Sequence, residues 1–159
     1  MNWPHAVHPA QTSKNWRDLA TPDRPVRVVV PYTDPATTRA ALAAVATMTE
    51  GLAATIVLLA VHVLPYPAPF YCPRAVREHL EGELTALART LPGPVEAILA
   101  LARTPEEGYS QILPPGSAVF IGTPRRWFRT REQRLANLLT GLGHSVALVE
   151  LPKEGRRCA

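Results

Sequence analysis

Apolar positions along this chain follow two periods: five short continuous runs, and between them segments where apolar residues recur every three or four places. The first run, VRVVVPY (26–32), is β-branched and unbroken, the pattern of a strand buried on both faces. TDPATTRAALAAVATMTEG follows, where Thr33 or Asp34 can cap a helix with Pro35 at its first position and Gly51 can close it. Leu42, Val45 and Met48 fall on one face of that helix, and its alanines allow close approach to a sheet. ATIVLLAVHVL (54–64) predicts a second, longer buried strand. The proline- and aromatic-rich PYPAPFYCP then leads into a helix over 74–91, with Val76, Leu80, Leu84, Leu87 and Leu91 as its buried stripe. PVEAILALA predicts a third strand, and TPEEGYSQIL a short helix with Thr104 and Glu107 in capping-box positions. SAVFIGT predicts a fourth strand, IGTPRRWFRTREQRLANLLTG supplies a fourth helix, and HSVALVEL (144–151) predicts a fifth strand.

Strands alternating with helices imply an α/β domain: one open, five-stranded parallel sheet with right-handed crossovers and helices on both faces. Ligands of such sheets bind beyond the carboxyl ends of the strands, where the strand order reverses. The loops to watch are PYTDP, LPYPAPFYCP and GTPRRWF, after strands 1, 2 and 4.

Residues 1–25 hold no period and carry Pro4, Pro9, Pro22 and Pro25 with Trp3 and Trp16, so they read as an arm before a domain over 26–152, with a short polar tail over 153–159. The 159 residues suffice for one domain with a real core. Aromatics are only 6%, so that core must be aliphatic. The longest apolar run is too short to span a bilayer and the N-terminus has no apolar h-region, which predicts a soluble, cytoplasmic protein. Cys72 and Cys158 have neither metal spacing nor a C-x-x-C pairing and read as incidental reduced thiols. The formal charge is +4, and five of the 17 basic residues sit between Arg125 and Arg134. The imbalance is a local patch, compatible with an anionic partner without requiring one.

No catalytic constellation emerges. The phosphate loop G-x-x-x-x-G-K-[ST], G-x-G-x-x-G and G-x-S-x-G are all missing. His5, His8, His62, His79 and His144 form no metal motif, and no metal is expected. His62 reads as a core histidine and His144 as facing solvent or a partner chain. Thr33 and Asp34 stand where a ligand's base or ribose would lie, but capping alone explains both residue types.

The run from VRVVVPYTDPATTRAALAAVATMTEG through ATIVLLAVHVL resembles the first half of universal stress protein domains. SAVFIGT resembles their fourth strand, which usually closes in V-V-G-[ST], and HSVALVEL their fifth. The likeness covers about residues 26–151. It implies the strand order 3-2-1-4-5 of the adenine nucleotide alpha hydrolase-like, Rossmann-like folds. It also implies a nucleotide or anion site formed by Tyr32, Thr33, Asp34, Val63, Gly122, Thr123, Arg125 and Arg126, taking ATP, ADP, AMP or another small anion. ATP-binding members carry an acidic residue where this chain has Thr33, with Asp34 one place later. They also carry G-x-x-G, then G-[ST] nine residues on. Here Gly122 is kept, Arg125 takes the second glycine position, and no G-[ST] pair follows. The glycines matter because backbone amides can close around phosphate only where no Cβ blocks them. The family's triphosphate grip is therefore not expected.

The arginine segment itself has three readings. Thr123 can cap one unbroken helix from Pro124 to Gly141, with Trp127, Phe128, Leu135, Leu138 and Leu142 inward. Alternatively 123–129 is a loop, and Thr130 with Gln133 makes the capping box of a shorter helix, leaving arginines beside a helix N-terminus that favours anions. In the third reading, Trp127 and Phe128 among the arginines stack on single-stranded nucleic acid. A plain solvated basic face ranks ahead of anion binding, and nucleic acid comes last.

The resulting expectation is a non-enzymatic stress-response or regulatory domain. It is homodimeric through the edge residues Ser145, Val146, Ala147, Leu148 and Val149, as the resemblance also implies. The alternative is a protein-interaction or transporter-associated regulatory domain without nucleotide. An adenine-nucleotide hydrolase or weak ATPase ranks below both, because S-G-G-x-D-S is absent.

Overall fold

A computed structural model describes residues 26–124 and 130–151. The arm, the tail, Cys158, and Arg125, Arg126, Trp127, Phe128 and Arg129 lie outside the described residues. Nine elements alternate: β1 (Val26–Pro31), α1 (Pro35–Met48), β2 (Ala54–Val63), α2 (Arg74–Ala88), β3 (Val95–Ala102), α3 (Pro105–Ile112), β4 (Ala118–Thr123), α4 (Arg131–Gly141) and β5 (Ser145–Glu150). The five strands form one parallel sheet in the order β3-β2-β1-β4-β5.

Side chains on a strand alternate between faces, and the core divides accordingly. Val28 and Val30 of β1 join Ile56, Leu58, Ala97 and Leu99 beneath Leu42 and Val45 of α1 and Leu84 and Leu87 of α2. Val29 joins Val57, Leu59, Val119 and Ile121 against Tyr109 of α3 and Leu139 of α4. The helices thus cover both faces, and continuous apolar runs are what a sheet so enclosed requires.

Two predicted inward positions fall outside this core. Met48 is 59% exposed because the inward stripe of α1 ends at Val45, one turn before the helix does. Val76 lies in the first turn of α2, ahead of a stripe that begins at Leu80, and is exposed. The unbroken helix from Pro124 is also not what forms. Thr130 is extended (φ −88°, ψ 167°), and its hydroxyl accepts the Gln133 N–H at 3.2 Å, so α4 starts at Arg131 as the shorter alternative requires. Gln133 completes only half a capping box, since its amide reaches forward to Asn137.

His144 is a further correction: it is buried, not solvent-facing. Gly143 takes φ +88°, and the His144 N–H bonds the Leu139 carbonyl, which holds the His144 backbone against the end of α4. Its Nδ1 has no hydrogen-bond partner, and burial lowers the pKa of the imidazole. His62 is half-buried in β2 opposite Leu101.

Candidate functional site

The strand order reverses between β1 and β4, and the sheet comes apart there. β1 pairs with β2 at six positions and β4 with β5 at six, but β1 meets β4 only at Val28↔Ala118 and Val29↔Val119. The cause is one residue. The N–H groups of Val26 and Tyr32 go to β2, onto the carbonyls of Ala53 and Leu59. Amide direction alternates along a strand, so residues 27, 29 and 31 point theirs at β4. Residue 31 is proline and has no N–H, so the ladder to β4 stops after Val29. The carboxyl ends of β1 and β4 therefore part at the topological switch point, where α/β sheets hold ligands.

The groups at the mouth are closely engaged with one another. Asp34 caps α1: its Oδ1 accepts from the N–H groups of Ala36 and Thr37, both at 3.0 Å, and its Oδ2 from the Thr37 hydroxyl. Pro35 has no amide hydrogen and the Thr38 N–H bonds the Asp34 carbonyl, so the first turn of α1 offers no free amide to an anion. Thr33 is buried, with its hydroxyl 3.0 Å from that of Thr37 and its N–H on the Thr38 hydroxyl. Tyr32 donates its phenol hydrogen to Glu83 of α2, and His79 stands 3.9 Å from the same carboxylate. Burial, then the bond to Glu83 and its charge, push the Tyr32 pKa up to about 12, while the charge of Arg131 opposes the rise. Burial likewise raises that of Tyr109, again opposed by Arg131. Among the described residues Arg131, at the start of α4, is thus the cation that acts on both Tyr32 and Tyr109.

Gly122 has a packing reason to be glycine. A Cβ there would land on the carbonyl oxygen of Thr37, because α1 lies directly against β4. Thr123 closes β4, with its carbonyl accepting the Leu151 N–H at 3.1 Å. Val63 ends β2 beside Ala102 on the far side of β1, half-buried. Tyr32, Thr33 and Asp34 are thus brought onto one strand end and Gly122 is set against α1, while Val63 stands two strands from Thr123. Arg125 and Arg126 fall outside the described residues.

One residue at this end of the sheet escaped the reading of the sequence. Arg103 follows β3 and reaches across to the β2–α2 loop. Its Nη1 donates to the carbonyls of Leu64 at 3.1 Å and Ala68 at 2.6 Å, and its guanidinium lies over the rings of Tyr66 at 4.5 Å and Phe70 at 5.0 Å. Glu107 of α3 accepts the Arg103 N–H at 2.8 Å, the partner that would in a full capping box have been Thr104. Leu64, Cys72 and Leu101 bury a small core below. A basic residue directly after an apolar strand, opposite a loop of aromatics and prolines, is the signal that points to it.

At the other side of the sheet β5 has, among the described residues, a neighbour only in β4. Ser145, Ala147 and Leu148 are exposed, and Val146 and Val149 half-buried. Among the described residues no group of three or more His, Cys, Asp or Glu is placed to hold a metal, and no helix is long and apolar enough to cross a membrane.

No family model matches the chain, and no curated protein matches its sequence. Solved structures do. A universal stress protein from Archaeoglobus fulgidus superposes with a TM-score of 0.58 at 10% identity, covering 79% of this chain and 94% of its own. UspA from Lactobacillus plantarum gives 0.47 at 13% identity, covering 79% and 98%. A macrolide-efflux protein from Streptococcus pneumoniae gives 0.40 at 17%, covering 84% of this chain and 55% of its own. Of these three the first alone is near enough in geometry to bear on the fold. The chain has the fold of a universal stress protein domain.

Proposed function

We propose that this chain is a non-catalytic regulatory domain of the universal stress protein kind that holds a small anion or adenine nucleotide where β1 parts from β4. The observation that supports this reading is the parting itself, opened by Pro31 at the switch point, with the charge of Arg131 acting at its mouth. The arginine-bearing connection from β4 to α4 begins at the same place. The grip is made by side chains. The amides at the start of α1 are engaged by Asp34 and Gly122 is covered by Thr37, so among the described residues neither supplies a backbone cradle of the glycine-loop type. Guanidinium groups suit the task because their forked donors match phosphate oxygens. Turnover is not part of the proposal: Asp34 is held as a cap, and Tyr32 stays protonated at neutral pH. The domain acts as a homodimer through β5, whose outer edge carries exposed Leu148.

The test is calorimetric titration of the full chain with ATP, ADP, AMP and inorganic phosphate. Arg131→Ala should weaken nucleotide binding roughly tenfold or more, the size of one charge-assisted hydrogen bond. Silence with all four compounds overturns the reading in favour of an interaction domain without ligand.

A further inference from the structure

At the opposite end of the sheet from this site lies an apolar groove of about 400 Å³. It runs between the end of α1 and the α2–β3 connection, lined by Ala54, Ile56, Leu91 and Pro92, with Leu52 and Glu50 at its lip. Leu52, 64% exposed, lines it; Val26 (61% exposed) is in register with the lining Ala54, and Met48 (59% exposed) lies in the chain between the lining Thr47 and Thr49. Such a concentration needs a cover, whereas single exposed apolar residues do not.

We infer that the groove is the docking site of the chain's own N-terminal arm, with the indole of Trp16 as the occupant. The arm joins the domain on the groove's rim. Val26, where β1 begins, is in register with Ala54, and its N–H bonds the Ala53 carbonyl. Trp16 lies ten residues upstream, a reach of up to roughly 33 Å when extended, so the ring can return to a groove one strand away. The groove is concave and suits one large side chain better than the flat face of a second copy, and an indole is the largest apolar group available to fill it. Charge agrees: Arg17 follows Trp16, and Glu50 stands at the lip. Pro22 and Pro25 fall in the span between Trp16 and Val26, and proline's fixed φ reduces the conformational entropy lost on docking.

The experiment uses the full chain with Trp3→Phe and Trp127→Phe, so that Trp16 is its one tryptophan, excited on the red edge where tyrosine does not absorb. The expected result is emission shifted to the blue and shielded from acrylamide, together with slow tryptic cleavage after Lys14 and Arg17. Adding Leu52→Glu should shift the emission to that of indole in water and speed the cleavage. Leu52 is exposed, so the domain itself should melt as before. Two outcomes overturn the inference: water-like Trp16 emission in a folded domain, or shielding that disappears on dilution, which would give the groove to a second copy.

Discussion

The backbone carbonyl of Thr37 in α1 occupies the place that a side chain on Gly122 of β4 would need. Retention of a single glycine from the phosphate-binding pattern therefore has a cause in packing, since helix and strand touch backbone to backbone at that point. Gly122→Ala should cost about 3 kcal/mol or more, because the clash is with backbone and cannot be relieved by a rotamer. Gly82→Ala is the control. It lies within α2 with open space around it, and should stabilise by up to about 1 kcal/mol through helix propensity. Urea unfolding of both variants decides; a neutral Gly122→Ala would mean that α1 does not sit so close.

Pro31 sets the width of the parting between β1 and β4. Pro31→Val nearly conserves its buried volume and restores the missing donor. The new amide should be protected in hydrogen exchange as the ladder extends by one bond, and any nucleotide affinity should fall as the crevice narrows. If the amide introduced by Pro31→Val exchanges as fast as an unstructured one, proline is not what ends the ladder.

Arg103 staples the β2–α2 loop over the small core of Leu64, Cys72 and Leu101. Arg103→Met removes the bonds to the Leu64 and Ala68 carbonyls and the contacts with Tyr66 and Phe70, at a cost of about 2 kcal/mol of loop closure. Cys72 reports on it directly, being a residue of that loop and only 1% exposed. In a Cys158→Ser background its alkylation should accelerate roughly thirtyfold, the opening ratio which that energy implies. An unchanged rate would assign the loop's order to its prolines.

The order of the elements was legible in the sequence because a parallel sheet covered on both faces needs continuous apolar strands, and this chain has five. A cap at Thr33 or Asp34 was legible too, and the bonds from the Ala36 and Thr37 N–H groups assign it to Asp34. Other features were hidden for physical reasons. Thr123-Pro124 and Thr130 with Gln133 are both valid helix starts, and only the dihedral angles of Thr130 distinguish them. His144 is buried by a turn at Gly143 and not by any period of its strand. Arg103 bonds backbone carbonyls 39 and 35 residues away, which have no letter in the sequence. Gly122 is written the same way whether it admits a phosphate or a helix.

Burial depresses the His144 pKa below its ordinary 6.5, and its Nδ1 is unpartnered. The unfolded chain therefore takes up this proton near pH 6.5 and the folded chain only at lower pH. This contribution to stability is complete above that value, declines as pH falls towards the folded pKa and then levels off. His144→Phe removes the titration, so its stability should fall less than the parent's between about pH 7.5 and about pH 5. Equal acid sensitivity in the two proteins would place the proton uptake elsewhere.

Among the described residues nothing pairs with the outer edge of β5 beside Ala147 and Leu148, and Leu148 is 41% exposed. Apolar edges of this kind pair with other strands unless a charge or proline blocks them, and residues 145–149 contain neither. Antiparallel pairing of β5 with its copy across a two-fold axis would satisfy both edges at once and bury Leu148 against the partner. Light scattering at micromolar concentration should return a dimer for the parent and a monomer for Leu148→Arg, whose guanidinium cannot be desolvated at that seam without a partner. The fold of the variant should be unaffected, since the side chain is exposed within one subunit. A monomeric parent would overturn the assignment of β5 as the interface.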